Sequence, residues 1–385
     1  MYKVLTLNKI SEKGIRLLGK NYDCSENVEN PNAILLRSAK IHDMEFGDNL
    51  VAIARAGAGT NNIPVDKCSD SGIVVFNTPG ANANAVKELA ITGLLLASRK
   101  IVQGIEWTKN LSGENIAKQI EKGKSSFAGP ELLGKHIGII GLGAIGSLVA
   151  NTAAMLGMKV YGYDPYISIQ SAWRLSSAIY HATSIDEIFS ECDYISLHVP
   201  LNKDTENIIN KDTILKMKDG VRVINFARGQ LVNSEDVVSA AKSGKISCYV
   251  TDFPTEEMLN VENIISMPHL GASTPEAEDN CAIMACDELG NYIENGNIIN
   301  SVNMPNVVMP RSGEIRVCVL HKNIPNMISG VSTVLCNNGA NIENMQSKSR
   351  GNYAYSIIDI TGDFDEKESE QISKIDGVIK IRIIK

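Results

Sequence analysis

The sequence predicts an α/β protein with two doubly wound parallel-sheet domains, one of Rossmann type and one flavodoxin-like, followed by a small ferredoxin-like domain. Short apolar runs alternate with helical stretches through most of the 385 residues. This pattern is typical of strands that are buried on both faces between layers of helices. Residues 313–385 change to the order β-α-β-β-α-β, which indicates a separate ferredoxin-like domain.

The apolar runs form two series, each bounded by turn residues. The first series is "YKVLTLN", "AILLRS", "LVAIARAG" and "GIVVFNTP". The second series is "KHIGIIGLG", "MKVYGYD", "YISLHVPL", "VRVINFARG", "CYVTDF" and "NIISMPH". Because helical stretches separate successive runs, each series predicts one parallel sheet.

Two long apolar segments predict helices that link the two sheets. One helix is predicted over "ANANAVKELAITGLLLASRKIVQGIEW" and the other over "TPEAEDNCAIMACDELGNYIENG". Two such helices suit a chain that crosses between its domains twice. The predicted division is residues 1–80 with 272–303 for the flavodoxin-like domain, 81–271 for the Rossmann domain, 304–312 for a linker and 313–385 for the third domain.

Composition restricts the function classes. Hydrophobic residues make up 44% and charged residues 21% of the chain, which is the balance of a soluble globular protein. The net charge of −7 argues against a nucleic-acid partner, which would need clustered Lys and Arg. No apolar run approaches the roughly 20 residues of a membrane span. The eight cysteines show no zinc-ligand spacing, so we expect no metal and reduced thiols in the cytoplasm.

A glycine-rich turn predicts a dinucleotide site. Gly141, Gly143 and Gly146 form G-x-G-x-x-G between an apolar strand and a helix, and Asp164 ends the next strand. The first glycine permits a tight turn, the second admits a pyrophosphate, and the third lets helix and strand pack closely. The alternative is a glycine-rich turn without a ligand, but the strand, helix and terminal acid favour the dinucleotide.

Asp164 predicts which dinucleotide binds. A carboxylate at Asp164 accepts hydrogen bonds from the ribose hydroxyls and repels a 2′-phosphate, so NAD(H) is favoured over NADP(H). Ala144 and Ile145 lie inside the turn, where neither side chain gives the pyrophosphate a charged contact. Backbone N–H groups at the helix N-terminus are therefore expected to bind it.

Acid–base candidates follow several strands of the second series. His269 ends one strand and His198 another, where His198 either lines the ligand cleft or only packs. Ligands of open α/β sheets bind outside the carboxyl ends of the strands, and imidazole titrates near neutrality. Arg228 follows a third strand and suits a substrate carboxylate. Glu256 and Glu257 follow a fourth, and the pattern does not select between them.

The segments "GIIGLGAIG…GYDP", "NFARGQLV", "DFPTEE" and "PHLGAST" together resemble the D-isomer-specific 2-hydroxyacid dehydrogenase family, over nearly the whole chain. The resemblance implies that Arg228 orients the 2-oxo acid, that His269 exchanges the proton, and that Glu257 supports His269, with Glu256 as the lesser alternative. Further residues are implied to line the nicotinamide or its ribose: Thr78, Ala227, Asp252 and Gly271.

The resemblance also assigns the flavodoxin-like domain to substrate binding. The residues implied to contact substrate are Arg37, Ser38, Arg55, Ala58, Gly59 and Asn82. Family members that act on phosphoglycerate place phosphate and carboxylate contacts at the positions of Arg37 and Ser38. The implied reaction is NAD-dependent oxidation of 3-phospho-D-glycerate in L-serine biosynthesis.

The C-terminal domain resembles an ACT domain, a module that binds amino acids between paired copies. The resemblance implies an L-serine effector at His321, Asn323 and Asn341, and a homodimer or homotetramer. The alternative is a purely structural dimerisation domain. For the whole chain, the alternatives are a sister activity on glyoxylate, hydroxypyruvate or D-lactate, and an NADH-sensing corepressor on the same fold.

Overall fold

The computed structural model describes residues 1–362 and 364–385, with the side chains of all of these except residues 170 and 366. The chain forms two compact units. The first unit contains residues 1–81 and 278–385, and the second contains residues 82–277. The chain therefore passes from one unit to the other twice.

The N-terminal part of the first unit is a parallel five-stranded sheet. Its elements are β1 Tyr2–Leu7, α1 Glu12–Leu18, β2 Tyr22–Ser25, β3 Ala33–Leu36, β4 Ala52–Arg55, α2 Val65–Asp70 and β5 Val74–Asn77. The strand order is β2-β1-β3-β4-β5, which is the flavodoxin-like order. Strand β2 was not predicted, because it lies at the sheet edge and only Tyr22 of its four residues is buried.

The second unit is a seven-stranded parallel sheet with helices. Its elements are α3 Ala83–Ser98, α4 Ile101–Lys109, α5 Ile116–Gly123, β6 His136–Ile140, α6 Gly146–Met155, β7 Lys159–Tyr163, α7 Ile169–Ala172, β8 Tyr180–His181, α8 Ile185–Glu191, β9 Tyr194–Leu197, α9 Lys211–Lys216, β10 Val221–Asn225, α10 Ser234–Ser243, β11 Ile246–Thr251 and β12 Ile264–Ser266. The order β12-β11-β10-β9-β6-β7-β8 reverses direction between β9 and β6. This reversal is the switch point at which doubly wound sheets bind ligands, and the predicted Rossmann architecture is confirmed.

The first predicted linking helix is two helices in the structure. Helix α3 ends at Ser98 and α4 begins at Ile101. The carbonyl of Ala97 accepts a hydrogen bond from Arg222 Nε at 2.9 Å, and Gly129 passes directly against the carbonyl of Ser98. Groups from distant parts of the chain therefore contact the last carbonyls of α3. The apolar pattern of the segment did not reveal these contacts.

The remaining elements follow the second crossing. They are α11 Pro275–Asn295, β13 Ile315–Lys322, α12 Met327–Asn337, β14 Asn341–Arg350, β15 Tyr353–Thr361, α13 Glu366–Ser373 and β16 Val378–Ile384. The four strands form an antiparallel sheet in the order β14-β15-β13-β16. The predicted β-α-β-β-α-β order is confirmed.

One face of this antiparallel sheet shares a hydrophobic core with the N-terminal sheet and α11. Leu320, Tyr355 and Ile357 are buried in that core together with residues of β1, β3, β4 and β5. The segment 304–312, predicted as a linker, has Met304 and Val307 fully buried in the same core. The C-terminal sheet is thus packed as part of the first unit.

A buried ion pair anchors the sheet to α11. Arg316 donates to both carboxylate oxygens of Asp359, at 2.6 and 2.8 Å, and its third contact is the carbonyl of Asn295 at 2.7 Å. Asn295 is the last residue of α11, so the guanidinium satisfies a helix-end carbonyl while its charge is paired. Over the described residues, no helix combines the length and apolarity that crossing a membrane requires.

Candidate active site

The glycine-rich turn of the second unit has the geometry of a phosphate-binding loop. Gly141 has φ 93°, and a Cβ there would lie 2.5 Å from the carbonyl oxygen of His198. A Cβ on Gly146 would lie 1.9 Å from the carbonyl oxygen of Gly141, so this glycine permits close packing of α6. A Cβ on Gly143 would meet no atom within 4 Å. The open space at Gly143 lets the backbone approach a pyrophosphate at the N-terminus of α6.

Asp164 is held beside this turn at the end of β7. Its Oδ2 accepts a hydrogen bond from the backbone N–H of Leu142 at 2.9 Å, and its Oδ1 accepts one from Tyr166 at 2.9 Å. The two backbone donors fix the carboxylate in orientation and leave lone pairs for ribose hydroxyls. Within the turn, Ala144 is exposed and Ile145 half-buried, so the turn meets a ligand mainly with backbone groups.

His198 follows β9 at the switch point. Its Nε2 lies 2.9 Å from the hydroxyl oxygen of Ser196, and burial lowers the pKa of its imidazole to about 4. At neutral pH the ring is therefore uncharged. Its position at the carboxyl end of β9 agrees with the predicted location, while one ring nitrogen is already engaged by Ser196.

Arg228 follows β10 in an extended conformation and is exposed. The buried side chain of Asn225 braces the turn that carries it. Asn225 Nδ2 donates to the carbonyl of Arg228 at 2.8 Å, and Asn225 Oδ1 accepts from the N–H of Ala227 at 3.1 Å. Sequence reasoning did not assign a role to Asn225. The signal for Asn225 was a polar residue directly after the apolar run of Val223 and Ile224.

His269 lies beyond β12 and is exposed. Its ring packs against Phe253, with ring centroids 4.6 Å apart and planes tilted by 51°. Phe253 follows β11, the strand that neighbours β12 in the sheet. The carboxyl ends of β11 and β12 therefore bring an aromatic ring to one side of the imidazole and limit its rotation.

Asp252 is a buried carboxylate that acts on His269 electrostatically. It is 2% exposed, its Oδ1 has no hydrogen-bond partner among the described residues, and its Oδ2 accepts from the N–H of Gly271 at 3.4 Å. Burial raises the pKa of Asp252, and the imidazole charge of His269 together with backbone N–H groups of Leu270 and Gly271 opposes this rise. Sequence reasoning assigned Asp252 to the nicotinamide side and missed this relationship.

The two candidate glutamates lie on a short 3-10 turn, Glu256–Met258, and both are exposed. A hydrogen bond from its own backbone N–H lowers the pKa of Glu257. Within residues 1–362 and 364–385, no hydrogen bond joins Glu257 or Glu256 to His269. The buried side chain of Met258 fixes the turn. The choice between the two glutamates stays a prediction.

The predicted substrate contacts of the first unit follow β3 and β4. Arg55 Nε donates to the carbonyl of Arg37 at 2.9 Å, and Arg55 Nη1 donates to the carbonyl of Gly59. Arg37 forms an ion pair with Glu278 at 2.6 Å. The N–H of Ser38 is held by Asn8. The two arginines and the loop with Ala58 and Gly59 are therefore brought together.

The two other predicted residues near the first crossing are separated by the unit boundary. Thr78 is fully buried in the first unit, and its N–H donates to the carbonyl of Gly57 at 3.2 Å. Asn82 is the N-cap residue of α3 in the second unit, where its side chain makes no capping hydrogen bond. The side chain of Asn82 is thus not used by the helix end.

The predicted effector residues belong to the antiparallel sheet. His321 and Asn323 line one cavity of about 430 Å³ at the end of β13. Both ring nitrogens of His321 have partners, the carbonyl of Lys322 at 2.8 Å and the hydroxyl of Ser356 at 3.0 Å, and burial lowers the pKa of His321. Asn341 starts β14, does not line this cavity, and bonds to Glu343.

The fold, the phosphate-binding loop and the strand-end Arg and His define a dinucleotide-dependent dehydrogenase. The family model described as the NAD-binding domain of D-isomer specific 2-hydroxyacid dehydrogenases matches residues 91–272. The chain belongs to the D-isomer specific 2-hydroxyacid dehydrogenase family. The predictions of this family and of NAD as the cofactor are confirmed.

Two relatives and one solved structure illustrate the similarity. A hydroxypyruvate reductase of Thermotoga maritima is 40% identical over 255 residues, which cover 64% of this chain and 78% of the relative. The D-3-phosphoglycerate dehydrogenase of Escherichia coli is 31% identical over 376 residues, 93% of this chain and 88% of the relative. The structure of NAD⁺-bound 3-phosphoglycerate dehydrogenase of Entamoeba histolytica covers 78% of this chain and 98% of its own, with 27% identity and a TM-score of 0.62.

Proposed function

We propose that the chain is an NAD-dependent D-3-phosphoglycerate dehydrogenase, which oxidises 3-phospho-D-glycerate to 3-phosphohydroxypyruvate in the first step of L-serine biosynthesis. The observation that carries this proposal is the convergence of Arg228, His269 and the glycine-rich turn at the carboxyl edge of one sheet. The relatives of that name, which align over most of the chain, support the choice of substrate.

Each residue of the proposed site has its own role in the reaction. Arg228 holds the substrate carboxylate and its C2 oxygen through paired N–H donors. His269 accepts the proton of the C2 hydroxyl during oxidation and returns it during reduction. Bound NAD supplies the acceptor for the hydride that leaves C2. The buried carboxylate of Asp252 stabilises the imidazolium that forms, and the ring of Phe253 keeps the imidazole oriented.

Substrate binding is assigned in part to the first unit. Arg37 and Arg55 are proposed to contact the phosphate and carboxylate groups, with backbone N–H groups of the loop at Ala58 and Gly59. The shared contact between the two arginine residues, Arg55 Nε to the carbonyl of Arg37, supports their acting together. Arg37 would exchange its ion pair with the exposed Glu278 for the phosphate.

Steady-state kinetics with NADH tests the proposed substrate. The kcat/KM for 3-phosphohydroxypyruvate is expected to exceed that for hydroxypyruvate, glyoxylate or pyruvate by at least about tenfold, because the arginines gain a dianionic partner. Arg37→Gln should reduce this preference by raising the KM for the phosphorylated acid only. Equal kcat/KM values for phosphorylated and unphosphorylated acids would contradict the proposed substrate.

Hydroxypyruvate reduction is the second candidate, and one observation favours it. The relative with the highest identity among those described above carries that name. The same kinetic series separates the two activities, since a hydroxypyruvate reductase would prefer the unphosphorylated acid. Tight NADH binding without turnover of any 2-oxo acid would instead support a corepressor role.

We further propose L-serine as an effector at the cavity of His321 and Asn323. The asparagine amide and the helix that begins at Met327 suit a zwitterionic amino acid. Serine should inhibit the wild type, and Asn323→Ala should relieve that inhibition with little change in kcat. Inhibition that persists unchanged in Asn323→Ala would place the effector elsewhere.

A homodimer or homotetramer in the cytoplasm completes the proposal. Helices α4 and α5 expose Ile101, Ile105, Ile116 and Ile120, which supports association through the second unit. The cysteines of the described chain are free thiols, which suits a reducing compartment. Sedimentation velocity over a range of concentrations measures the assembly, and a stable monomer would contradict it.

A further inference from the structure

A second polar cavity lies entirely within the first unit. Its lining contains none of the residues predicted to contact substrate or serine, although Lys348 and Ser349 also line the cavity of His321 and Asn323. It has a volume of about 510 Å³ and is bounded by three segments: the end of β5 with the turn that follows it, the segment 300–306 after α11, and the end of β14. Cavities of this size accommodate small metabolites. The C-terminal sheet and the N-terminal sheet each contribute to its wall.

The charges of this cavity have one sign. Lys348 and Arg350 lie along the end of β14, and the described residues that line the cavity include no carboxylate. Among the described residues, the side chain of Lys348 makes no hydrogen bond and no ion pair, while its backbone pairs with Tyr355 in the sheet. Arg350 donates one hydrogen bond, from Nη1 to the carbonyl of Ser301 at 2.7 Å, and forms no ion pair in the described chain. Two cations without counter-ions at one opening are unusual in a chain of net charge −7.

A carboxyl group next to the cavity, that of Glu288, does not neutralise the positive charge of these cations. Glu288 of α11 lies behind the wall and accepts a hydrogen bond from Nδ2 of Asn300 at 2.6 Å. It is 6% exposed, and burial raises its pKa to about 8. At neutral pH Glu288 is therefore mostly protonated, and the positive potential at the opening remains.

We propose that this cavity binds the phosphate group of a small molecule between Lys348 and Arg350. A phosphate group carries close to two negative charges at neutral pH, so it matches two cations better than a carboxylate does. The guanidinium of Arg350 offers paired N–H donors to phosphate oxygens. The amide of Asn306 and the hydroxyl of Ser349, both exposed at the opening, add uncharged donors.

The position of the cavity connects it to the predicted substrate loop. Asn77, in the cavity wall, donates through Nδ2 to the carbonyl of Ala58 at 2.5 Å. The backbone N–H of Asn77 faces the carbonyl of Asn300, also in the wall, at 3.5 Å. A phosphate bound here therefore contacts the segments that hold the loop of Ala58 and Gly59. We expect occupancy to change the KM for 3-phosphoglycerate, and this part rests on the proposed function.

Calorimetric titration of the full chain with sodium phosphate, at neutral pH and constant ionic strength, tests the site. Lys348→Gln and Arg350→Gln should each weaken phosphate binding by about tenfold or more, because each removes one of two charges. Lys367→Gln, an exposed lysine of α13 outside the cavity, is the matched control and should bind phosphate as the wild type does. Thermal unfolding without phosphate checks that each variant is folded, and Lys348→Gln removes no side-chain hydrogen bond or ion pair among the described residues.

Two further variants separate this site from the other proposed sites. Arg37→Gln and Asn323→Ala should retain this phosphate binding, since neither residue lines the cavity. Loss of all phosphate binding in Arg37→Gln, with full binding in Lys348→Gln, would assign the anion to the substrate site and overturn the proposal. Loss of phosphate binding in Asn323→Ala alone would assign the anion to the serine cavity and would also overturn the proposal.

Titration with different anions shows whether the site prefers inorganic phosphate or a phosphate ester. Inorganic phosphate, glycerol 3-phosphate and acetate are compared on the wild type. Binding of both phosphates, or of glycerol 3-phosphate alone, supports the site and distinguishes a free anion from a phosphate ester. Acetate binding as tight as that of phosphate would overturn the selectivity for a dianion. A KM for 3-phosphoglycerate that is unchanged by bound phosphate would overturn the connection to the loop while leaving the activity intact.

Discussion

The carboxylate of Asp252 accepts a hydrogen bond from the N–H of Gly271 at 3.4 Å and interacts electrostatically with the imidazole of His269, two residues earlier in the chain. One buried acid thus holds the segment that carries the proposed proton acceptor and also acts on its charge. The predicted glutamate, Glu257, lies on an exposed turn and makes no hydrogen bond to this imidazole in the described structure. This relationship supplies the first prediction.

Asp252→Asn should lower kcat for oxidation. The carboxylate stabilises the positive charge that the imidazole of His269 gains when it accepts the proton, and asparagine does not. The measurement is kcat for wild type, Asp252→Asn and Glu257→Gln. A fall in kcat in Glu257→Gln only would return the supporting role to Glu257.

His269→Gln should lower kcat by roughly 10²–10⁴ if His269 exchanges the proton, because glutamine keeps the polarity and loses the titratable group. NADH binding, measured by fluorescence, should stay close to that of the wild type, since the glycine-rich turn is unchanged. His181→Gln, at an exposed histidine of β8, is the control and should leave kcat unaffected. A near-normal kcat in His269→Gln would rule out this residue as the proton acceptor.

Asp164→Asn should shift the cofactor preference toward NADPH. Asparagine retains an oxygen for the N–H of Leu142 but loses the charge that repels a 2′-phosphate. We expect the preference for NADH over NADPH in kcat/KM to fall by about tenfold or more. Asp186→Asn, at an exposed aspartate of α8, controls for the change in net charge. An unchanged preference would show that another group excludes the phosphate.

Glu288→Gln should stabilise the protein at alkaline pH. The pKa of Glu288 is raised from 4.5 to about 8, so the folded state keeps a proton that the unfolded state releases. The contribution of Glu288 to the free energy of unfolding therefore falls as the pH rises between those two values. Glutamine does not titrate, so the variant does not lose this free energy. Above pH 8 the variant should gain about 1–3 kcal/mol in the free energy of unfolding. Near pH 4.5 the difference should be small.

Chemical denaturation at several pH values measures this effect. Glu29→Gln, an exposed glutamate of the same unit, is the control and should show no pH-dependent gain. A gain in Glu288→Gln that is equal at acidic and alkaline pH would reflect packing instead of titration.

A chain that ends at residue 312 should not fold stably. Removal of the antiparallel sheet takes Leu320, Tyr355 and Ile357 out of the shared core and exposes one side of α11. Each such side chain contributes about 1.5–3 kcal/mol when fully buried. We expect aggregation or loss of a cooperative thermal transition, and the full chain is the reference. A soluble, cooperatively unfolding, active 1–312 chain would show that the sheet is dispensable.

Much of the architecture was predictable because hydrophobic periodicity reports burial directly. The second-series strands, the glycine-rich turn and the β-α-β-β-α-β order all carried local signals. Elements whose limits depend on distant contacts were not predictable. Strand β2 has one buried residue, and α3 ends where Arg222 and Gly129, far along the chain, meet its last carbonyls.

The sequence by itself determined the family, the cofactor and the strand ends that carry Arg228, His269 and Asp164, because these depend on residue types at short, regular spacings. Only the tertiary structure decided that Asp252 holds the segment of His269, since the pairing of β11 with β12 brings its carboxylate to the N–H of Gly271. It also decided that the C-terminal sheet packs into the first unit and that Lys348 and Arg350 share a cavity with Asn77. The physical reason is that burial and charge pairing depend on contacts between residues far apart in the chain, which a local pattern does not encode.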